Sequence, residues 1–202
     1  MLDRIVARLI VTLTWFLAGG SVRRAGFTPH PKQRIYFANH SSHLDFVLIW
    51  SALPAELRAI TRPVAAKDYW SKGLKSYFAL NVFNSVLIER NPTTRTADPI
   101  DVLVDGLGDK YSMIVFPEGT RGNGIEMAPF KSGIYRLALA RPDVELIPVY
   151  MENLNRILPK GEYLPVPMVS AITFGAPMQV REGESKVEFL ERARNAVLEL
   201  HR

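Results

Sequence analysis

Strand-like runs alternate with helical runs along most of this chain. The predicted strands are short and rich in β-branched and aromatic residues, and the segments between them carry apolar residues at helical spacing. Such alternation is typical of three-layer α/β folds, in which helices cover both faces of a largely parallel or mixed sheet. The predicted strands are 34–39, 57–66 (weakened by Pro63), 85–90, 112–116, 144–151 and 169–174. The predicted helices are 42–52, 70–84, 96–107, 130–140 and 185–201.

The composition is that of one globular domain. The chain has 202 residues, of which 48% are hydrophobic, and it shows no internal repeat or interdomain linker. It contains no cysteine. Disulfides, thiolate metal sites and a cysteine nucleophile are therefore excluded.

The charge predicts an anionic partner. The net charge is +5 and the sequence pI is about 9.6, which favours anionic lipid, nucleic acid or a phosphorylated substrate. No zinc finger, RNP pattern or basic run interleaved with aromatic residues is present. We therefore expect a lipid or phosphorylated ligand and no nucleic acid.

The N-terminal segment predicts contact with a membrane. Residues 9–17 are apolar apart from two threonines, Arg4 and Arg8 interrupt the run before them, and Arg23 and Arg24 follow. The run is shorter than the roughly 20 residues that a spanning helix needs. A signal peptide and an ordinary packed helix are the alternatives. We favour an interfacial or shallowly inserted helix at the cytoplasmic face of the cell membrane.

We predict that the chain has two parts. Residues 1–26 are predicted to form the membrane-associated helix, and residues 27–202 the catalytic domain. The catalytic assignment depends on the chemistry of the motifs that follow.

A histidine and an aspartate follow the first predicted strand of the domain. Segment 38–46 contains His40 and, five residues later, Asp45. Neutral imidazole accepts protons near neutral pH, and a carboxylate on its other nitrogen fixes its tautomer. Ser42 lies three residues before Asp45, which predicts a capping box with Ser42 as the N-cap. His40 would then lie in the loop before the helix and fold back over the helix start.

This segment alone also fits a purely structural interpretation. Asp45 could serve only as a capping carboxylate, and His40 could be an ordinary loop residue. His43 completes a His-x-x-His pattern, but no cysteine or further histidine lies nearby to complete a metal site. We predict that His43 is a bystander.

A second group of candidate residues follows the strand 112–116. Gly119 permits a tight turn, Arg121 can bind a phosphate bidentately, and Glu118 can accept from a hydroxyl or hold Arg121. The alternative is a turn with a surface ion pair. If this strand lies parallel to strand 34–39, both groups meet at one edge of the sheet.

Two more cations are predicted to join them. Arg90 ends the strand 85–90, and Lys131 opens the predicted helix 130–140, where a helix N-terminus favours anions. Each could also be a solvated surface cation. We expect Arg90, Arg121 and Lys131 to converge.

These motifs together resemble the glycerolipid acyltransferase family, the 1-acylglycerol-3-phosphate acyltransferases in particular. Residues 39–45 match its His-x-x-x-x-Asp motif, and 116–121 match Phe-Pro-Glu-Gly-Thr-Arg in full. Residues 88–90, 130–133 and 146–149 are similar to its further motifs. One departure is that Asn84-Ser85 stands where the second motif usually carries a glycine.

The resemblance implies direct acyl transfer. His40, oriented by Asp45, would deprotonate an acceptor hydroxyl, which would attack the thioester of acyl-CoA or acyl-carrier protein without an acyl-enzyme and with no bound metal or other cofactor. A lysophospholipid, 1-acylglycerol 3-phosphate above all, is the expected acceptor. The residues expected to bind its glycerophosphate are Arg90, Glu118, Gly119, Thr120, Arg121 and Lys131.

Other functions remain open at this stage. Glycerol 3-phosphate or lyso-ornithine lipid could be the acceptor. The same dyad could activate water in a lipid esterase, and a non-catalytic protein could use Arg90 and Arg121 only to bind anionic lipid.

Overall fold

The computed structural model describes residues 2–18, 20–42, 44–122, 126–153 and 170–201. Within these residues, seven strands form one sheet. The strands are β1 (Ser21–Arg24), β2 (Arg34–Ala38), β3 (Thr61–Ala66), β4 (Val86–Ile88), β5 (Ser112–Val115), β6 (Glu145–Glu152) and β7 (Ala171–Phe174).

The helices lie between and around these strands. They are α1 (Leu2–Ala18), α2 (Asp45–Ala52), α3 (Ala55–Ala59), α4 (Lys67–Trp70), α5 (Gly73–Tyr77), a π-helical turn (Phe78–Val82), α6 (Pro99–Leu107), α7 (Gly133–Ala140) and α8 (Lys186–Leu198).

The sheet is mixed and mostly parallel, as predicted. The strand order is β1-β7-β6-β2-β5-β3-β4. Every neighbouring pair is parallel except β6 and β7. The strands β2 to β6 therefore point in one direction, and their carboxyl ends lie along one edge of the sheet.

Two hydrophobic clusters make the structure three-layered. On one face, Tyr36 and Ala38 of β2 belong to a cluster that includes buried residues of α2 and partly buried residues of α1. On the other face, Ile35 and Phe37 belong to a cluster with α6, α7 and α8. This opposite placement follows from the period of two along a strand.

Two helix boundaries have local explanations in the sequence. Asp98 caps α6 by accepting from the backbone of Ile100, and Gly108 ends it with a φ of +46°. Ser185 forms a full capping box with Glu188 at the start of α8.

Two predicted elements differ from the structure, and one strand was not predicted. Segment 57–66 begins in α3, whose Ala-Glu-Leu-Arg-Ala sequence favours a helix, and becomes a strand only at Thr61. Segment 70–84 divides into the end of α4, α5 and the π-helical turn. Strand β1 was missed because four residues with no clear alternation give no strand signal, although they pair with β7. The prediction of one helix over residues 1–26 is therefore wrong at its end, because α1 stops at Ala18 and residues 21–24 belong to the sheet.

Helix α1 has two distinct faces. Val11 and Trp15 pack on the core, whereas Leu9, Leu13 and Phe16 are 64%, 56% and 77% exposed. Among the described residues, no helix combines the length and apolar character that crossing a bilayer requires. The outward residues form an apolar stripe with Ile5, which is also exposed.

Candidate active site

The His40 ring and the Asp45 carboxylate meet at the carboxyl end of β2. The distance from Nδ1 of His40 to Oδ2 of Asp45 is 2.7 Å. Asp45 is fully buried, whereas the side chain of His40 is 20% exposed. The hydrogen bond engages Nδ1 and leaves Nε2 as the ring nitrogen that can exchange a proton with a ligand.

The turn that brings them together differs from the predicted capping box. Leu44, not Ser42, is the N-cap of α2, and the helix begins at Asp45 itself. Oδ2 of Asp45 accepts from the backbone amides of Ser41 (2.6 Å) and Ser42 (2.9 Å). The carboxylate thus reaches back over the loop as in half of a capping box. His43 lies outside the described residues.

The second motif lies directly against the histidine. Strands β2 and β5 are parallel neighbours, so the segment after β5 reaches the edge where His40 lies. The ring of Phe116 stacks on the His40 imidazole with centroids 4.1 Å apart and an angle of 15° between the planes. The predicted meeting of the two motifs at one edge is therefore seen in the structure.

Glu118 holds the backbone around His40. Its Oε1 accepts from the amide of His40 at 2.7 Å, and its Oε2 accepts from the amide of Ala128 at 2.9 Å. In return, the carbonyl of His40 accepts from the amide of Gly122 at 2.8 Å. Glu118 is 3% exposed, and burial raises the pKa of its carboxyl. Binding of an acceptor by Glu118 stays a prediction.

A pocket of about 260 Å³ opens beside the His40 ring. Gly119 and Thr120 line it on the β5 side, and Phe46 and Trp70 supply an apolar wall. Arg90 and Arg121 also line it, so two of the three predicted cations share one pocket with His40. The pocket thus combines a potential base with groups that suit an anionic head group.

Arg90 is already engaged in this pocket. Its Nη2 donates to Oδ2 of Asp68 at 2.7 Å, and both side chains are about half exposed. The neighbouring guanidinium lowers the pKa of the Asp68 carboxyl. An anionic ligand would therefore compete with Asp68 for Arg90.

Lys131 lies before α7 rather than in it. The helix begins at Gly133, with Ser132 as its N-cap, so the prediction that Lys131 opens the helix is wrong by two residues. The side chain of Lys131 crosses Gly119 so closely that a methyl group there would lie 2.7 Å from Nζ. Gly119 has a φ of +70°, which other residues rarely adopt.

Two asparagines near the site have structural roles that the sequence analysis missed. The side chain of Asn39 donates to the carbonyl of Met151 and accepts from its amide, which ties the end of β2 to β6. Asn84 adopts a φ of +49° before β4. Asparagine tolerates this region better than most residues do.

Among the described residues, no cluster of three histidine, aspartate or glutamate side chains is placed to hold a metal ion. The site instead offers a histidine oriented by a buried carboxylate, beside a cationic pocket at the carboxyl ends of parallel strands. Fold and site together suit an α/β enzyme, since a histidine held in this way can accept a proton from a hydroxyl group.

Comparison with known proteins identifies the family. The Acyltransferase family model matches residues 21–152, which is more than half of the chain. The chain belongs to this acyltransferase family. Among similar proteins is the 1-acyl-sn-glycerol-3-phosphate acyltransferase alpha of Mus musculus, 31% identical over 78% of this chain and 54% of that protein.

A bacterial relative carries the same family name, and a solved structure shares the fold. The 1-acyl-sn-glycerol-3-phosphate acyltransferase of Escherichia coli is 29% identical over 61% of this chain and 51% of its own length. This chain thus spans about half of these curated relatives. The crystal structure of the acyltransferase PlsC from Thermotoga maritima has the same fold, with a TM-score of 0.75 at 20% identity, over 98% of this chain and 79% of that one.

Proposed function

We propose that this protein transfers a fatty acyl group from acyl-CoA or acyl-carrier protein to the hydroxyl of a lysophospholipid. The preferred acceptor is 1-acylglycerol 3-phosphate, which gives phosphatidic acid. The observation that carries the proposal is the 2.7 Å contact between His40 and the buried Asp45, beside a pocket lined by Arg90 and Arg121.

The chemistry follows from this geometry. Asp45 holds Nδ1 as a donor, so Nε2 accepts the proton of the acceptor hydroxyl. The oxygen attacks the thioester carbonyl, the C–O bond forms, and the C–S bond breaks as the intermediate collapses. The imidazolium returns its proton to the leaving thiolate. Asp45 stabilises the imidazolium between these steps without becoming protonated.

The pocket supports a phosphate-bearing acceptor. Arg121 and Arg90 can each offer a planar pair of donors to phosphate oxygens. Gly119, with no side chain, leaves room for the Lys131 side chain beside it, and Thr120 adds a hydroxyl to the pocket. Two oriented substrates then react within one site, which supplies much of the rate gain in a transfer of this kind.

The decisive variant is His40→Ala. We expect acyl transfer from labelled donors to lysophosphatidate to fall by about 10²- to 10⁴-fold because the general base is lost. The matched control is His30→Ala, which removes an exposed histidine outside the site. Full activity of His40→Ala would refute the mechanism. Release of free fatty acid without an acceptor would instead show that the protein is an esterase.

We also propose that the apolar stripe of α1 binds the membrane surface at the cytoplasmic face. Leu9 and Phe16 are exposed on α1, and Leu74 is 79% exposed on α5. Leu9→Glu combined with Phe16→Glu should weaken binding to anionic vesicles at least about tenfold, because two apolar contacts are replaced by charges that the lipid repels.

Vesicle co-sedimentation measures this effect. Val187→Glu is the control, since Val187 is 60% exposed on α8, away from α1. Equal vesicle binding by the α1 variant and the control would show that the stripe does not contact the membrane.

A further inference from the structure

A second and larger cavity lies on another side of α2. Its volume is about 670 Å³, within the range of small-molecule sites, and it lies between α1, α3 and the π-helical turn. It shares no lining residue with the His40 pocket. Phe83 lines this cavity. Its ring centroid lies 5.0 Å from that of Phe46, which lines the His40 pocket, and 5.1 Å from that of Trp50. These aromatic rings thus separate the larger cavity from the His40 pocket.

The walls of this cavity suit a hydrocarbon chain. Val11 of α1, Trp50 of α2, and Val82 and Phe83 form apolar surface around it. Among its lining residues there are two arginines and no carboxylate. A mostly apolar cavity with a few charged groups of one sign is suited to an amphipathic ligand of the opposite sign.

Arg58 is the charged group inside this cavity. Its guanidinium lies over the Trp50 ring, 5.2 Å from the centroid. Its Nη1 is buried and finds no acceptor among the described residues. Burial also lowers the pKa of Arg58, because the charged form loses water without gaining a counter-ion. A half-buried cation of this kind is stabilised by a ligand that carries negative charge.

The cavity is accessible from the apolar stripe of α1. Arg8 and Thr12 line it and are exposed. They are the direct neighbours of Leu9 and Leu13 in the stripe. The entrance therefore lies beside the surface that we assign to the membrane, where single-chain lipids are concentrated.

We propose that this cavity binds one long-chain fatty acid, with the carboxylate on Arg58 and the chain against Trp50, Val82 and Phe83. A carboxylate pairs with a guanidinium through charge-assisted hydrogen bonds, which at Arg58 would come from its atoms other than the enclosed Nη1. A single negative charge suits the site, because Arg58 is the half-buried cation there and Arg8 remains solvated at the rim. The site is separate from the His40 pocket, and its occupation does not depend on the proposed acyl transfer.

The test is equilibrium dialysis of the full chain against labelled palmitate below its aggregation concentration. Arg58→Gln should weaken palmitate binding at least about tenfold, since a charge-assisted pair is lost. Arg58→Lys should retain part of the affinity. Arg95→Gln, which removes an exposed arginine outside the cavity, should bind palmitate as the wild type does.

Two ligands and one further variant complete the test. Hexadecanol, with the same chain and no charge, should bind the wild type at least about tenfold more weakly than palmitate. Saturating lysophosphatidate should not displace palmitate. Ala59→Trp, at an exposed position lining the cavity, should abolish palmitate binding by filling the space, even if Arg58→Gln failed to fold.

Three results would overturn the proposal. Wild-type affinity of Arg58→Gln for palmitate would show that Arg58 does not pair with the carboxylate. Binding of hexadecanol as tight as that of palmitate would show that the carboxylate contributes nothing. Displacement of palmitate by lysophosphatidate would assign the cavity to a phosphate-bearing lipid instead.

Discussion

Two sides of the His40 pocket are built in opposite ways. On one side, Asp45 and Glu118 are at most 3% exposed, and their carboxylates accept four backbone N–H groups between them. On the other side, Asp68 and Arg90 are about half exposed and are joined by one ion pair. The first side resists reorganisation, whereas the second can exchange partners at little cost.

This difference matches the two tasks of the proposed reaction. A base must be held in one orientation before the substrate arrives, because catalytic electrostatics depend on groups that do not reorganise during the reaction. A cation that binds a mobile head group must instead release one anion to take another. Substitutions on the buried side should therefore change kcat and stability, and those on the exposed side should change KM.

Among the carboxylate substitutions, the largest effect is expected for Asp45→Asn. A neutral amide cannot stabilise the imidazolium, and its NH₂ cannot accept from the amides of Ser41 and Ser42. We expect kcat for acyl transfer to fall by about 10³- to 10⁴-fold. Steady-state kinetics with varied acceptor separates kcat from KM.

The control for this change is Asp101→Asn, at an exposed position on α6. A loss confined to KM in Asp45→Asn would contradict the division of the pocket, because it would place Asp45 among the groups that bind the acceptor.

Glu118→Gln should have a smaller effect, chiefly on stability. Each Glu118 oxygen accepts a backbone amide, and the glutamine NH₂ would face one of these donors with another. We expect the free energy of unfolding to fall by about 1–3 kcal/mol. Denaturant unfolding measures it, with Glu182→Gln at an exposed position as the control.

The pH dependence of this loss has a definite sign. Burial raises the pKa of Glu118 in the folded protein. The stability that this group contributes is thus fully present below its ordinary pKa and declines as the pH rises through the raised value. The difference in unfolding free energy between the wild type and Glu118→Gln should therefore narrow as the pH rises from the ordinary carboxyl pKa to the raised pKa of Glu118. A difference that widens with rising pH would show that the carboxylate form is the one the fold favours.

The sequence predicts the buried side of the pocket better than the exposed side. His40 and Asp45 are five residues apart, so the bend between them can be argued locally, even though the helix start was misplaced. The meeting with Phe116 and Arg121 followed from one topological assumption, that β2 and β5 are parallel, which the structure confirms.

The remaining contacts depend on tertiary structure. Glu118 lies 78 positions from His40, and Asn39 lies 112 from Met151, and neither pairing has a local pattern. Asp68 and Arg90 meet only because β3 and β4 are parallel neighbours whose carboxyl ends reach the same edge. Segment 67–84, with its short helices and π-helical turn, has no single period from which these positions could be predicted.

The smallest effect is expected for Asp68→Asn, on the exposed side. Removing the carboxylate frees Arg90 for the acceptor phosphate, and an exposed ion pair is worth at most about 1 kcal/mol. We expect KM for lysophosphatidate to fall by about two- to fivefold with kcat unchanged. Asp98→Asn is the matched control, since Asp98 also pairs with an arginine, Arg136, at 2.8 Å on the surface, and asparagine preserves its capping role.

A rise in KM would reverse this interpretation of the exposed side. It would mean that Asp68 holds Arg90 in the orientation that the phosphate needs, as Asp45 holds His40. Both sides of the pocket would then be preorganised, and the half-exposed pair would be a positioning contact rather than a competitor for the acceptor.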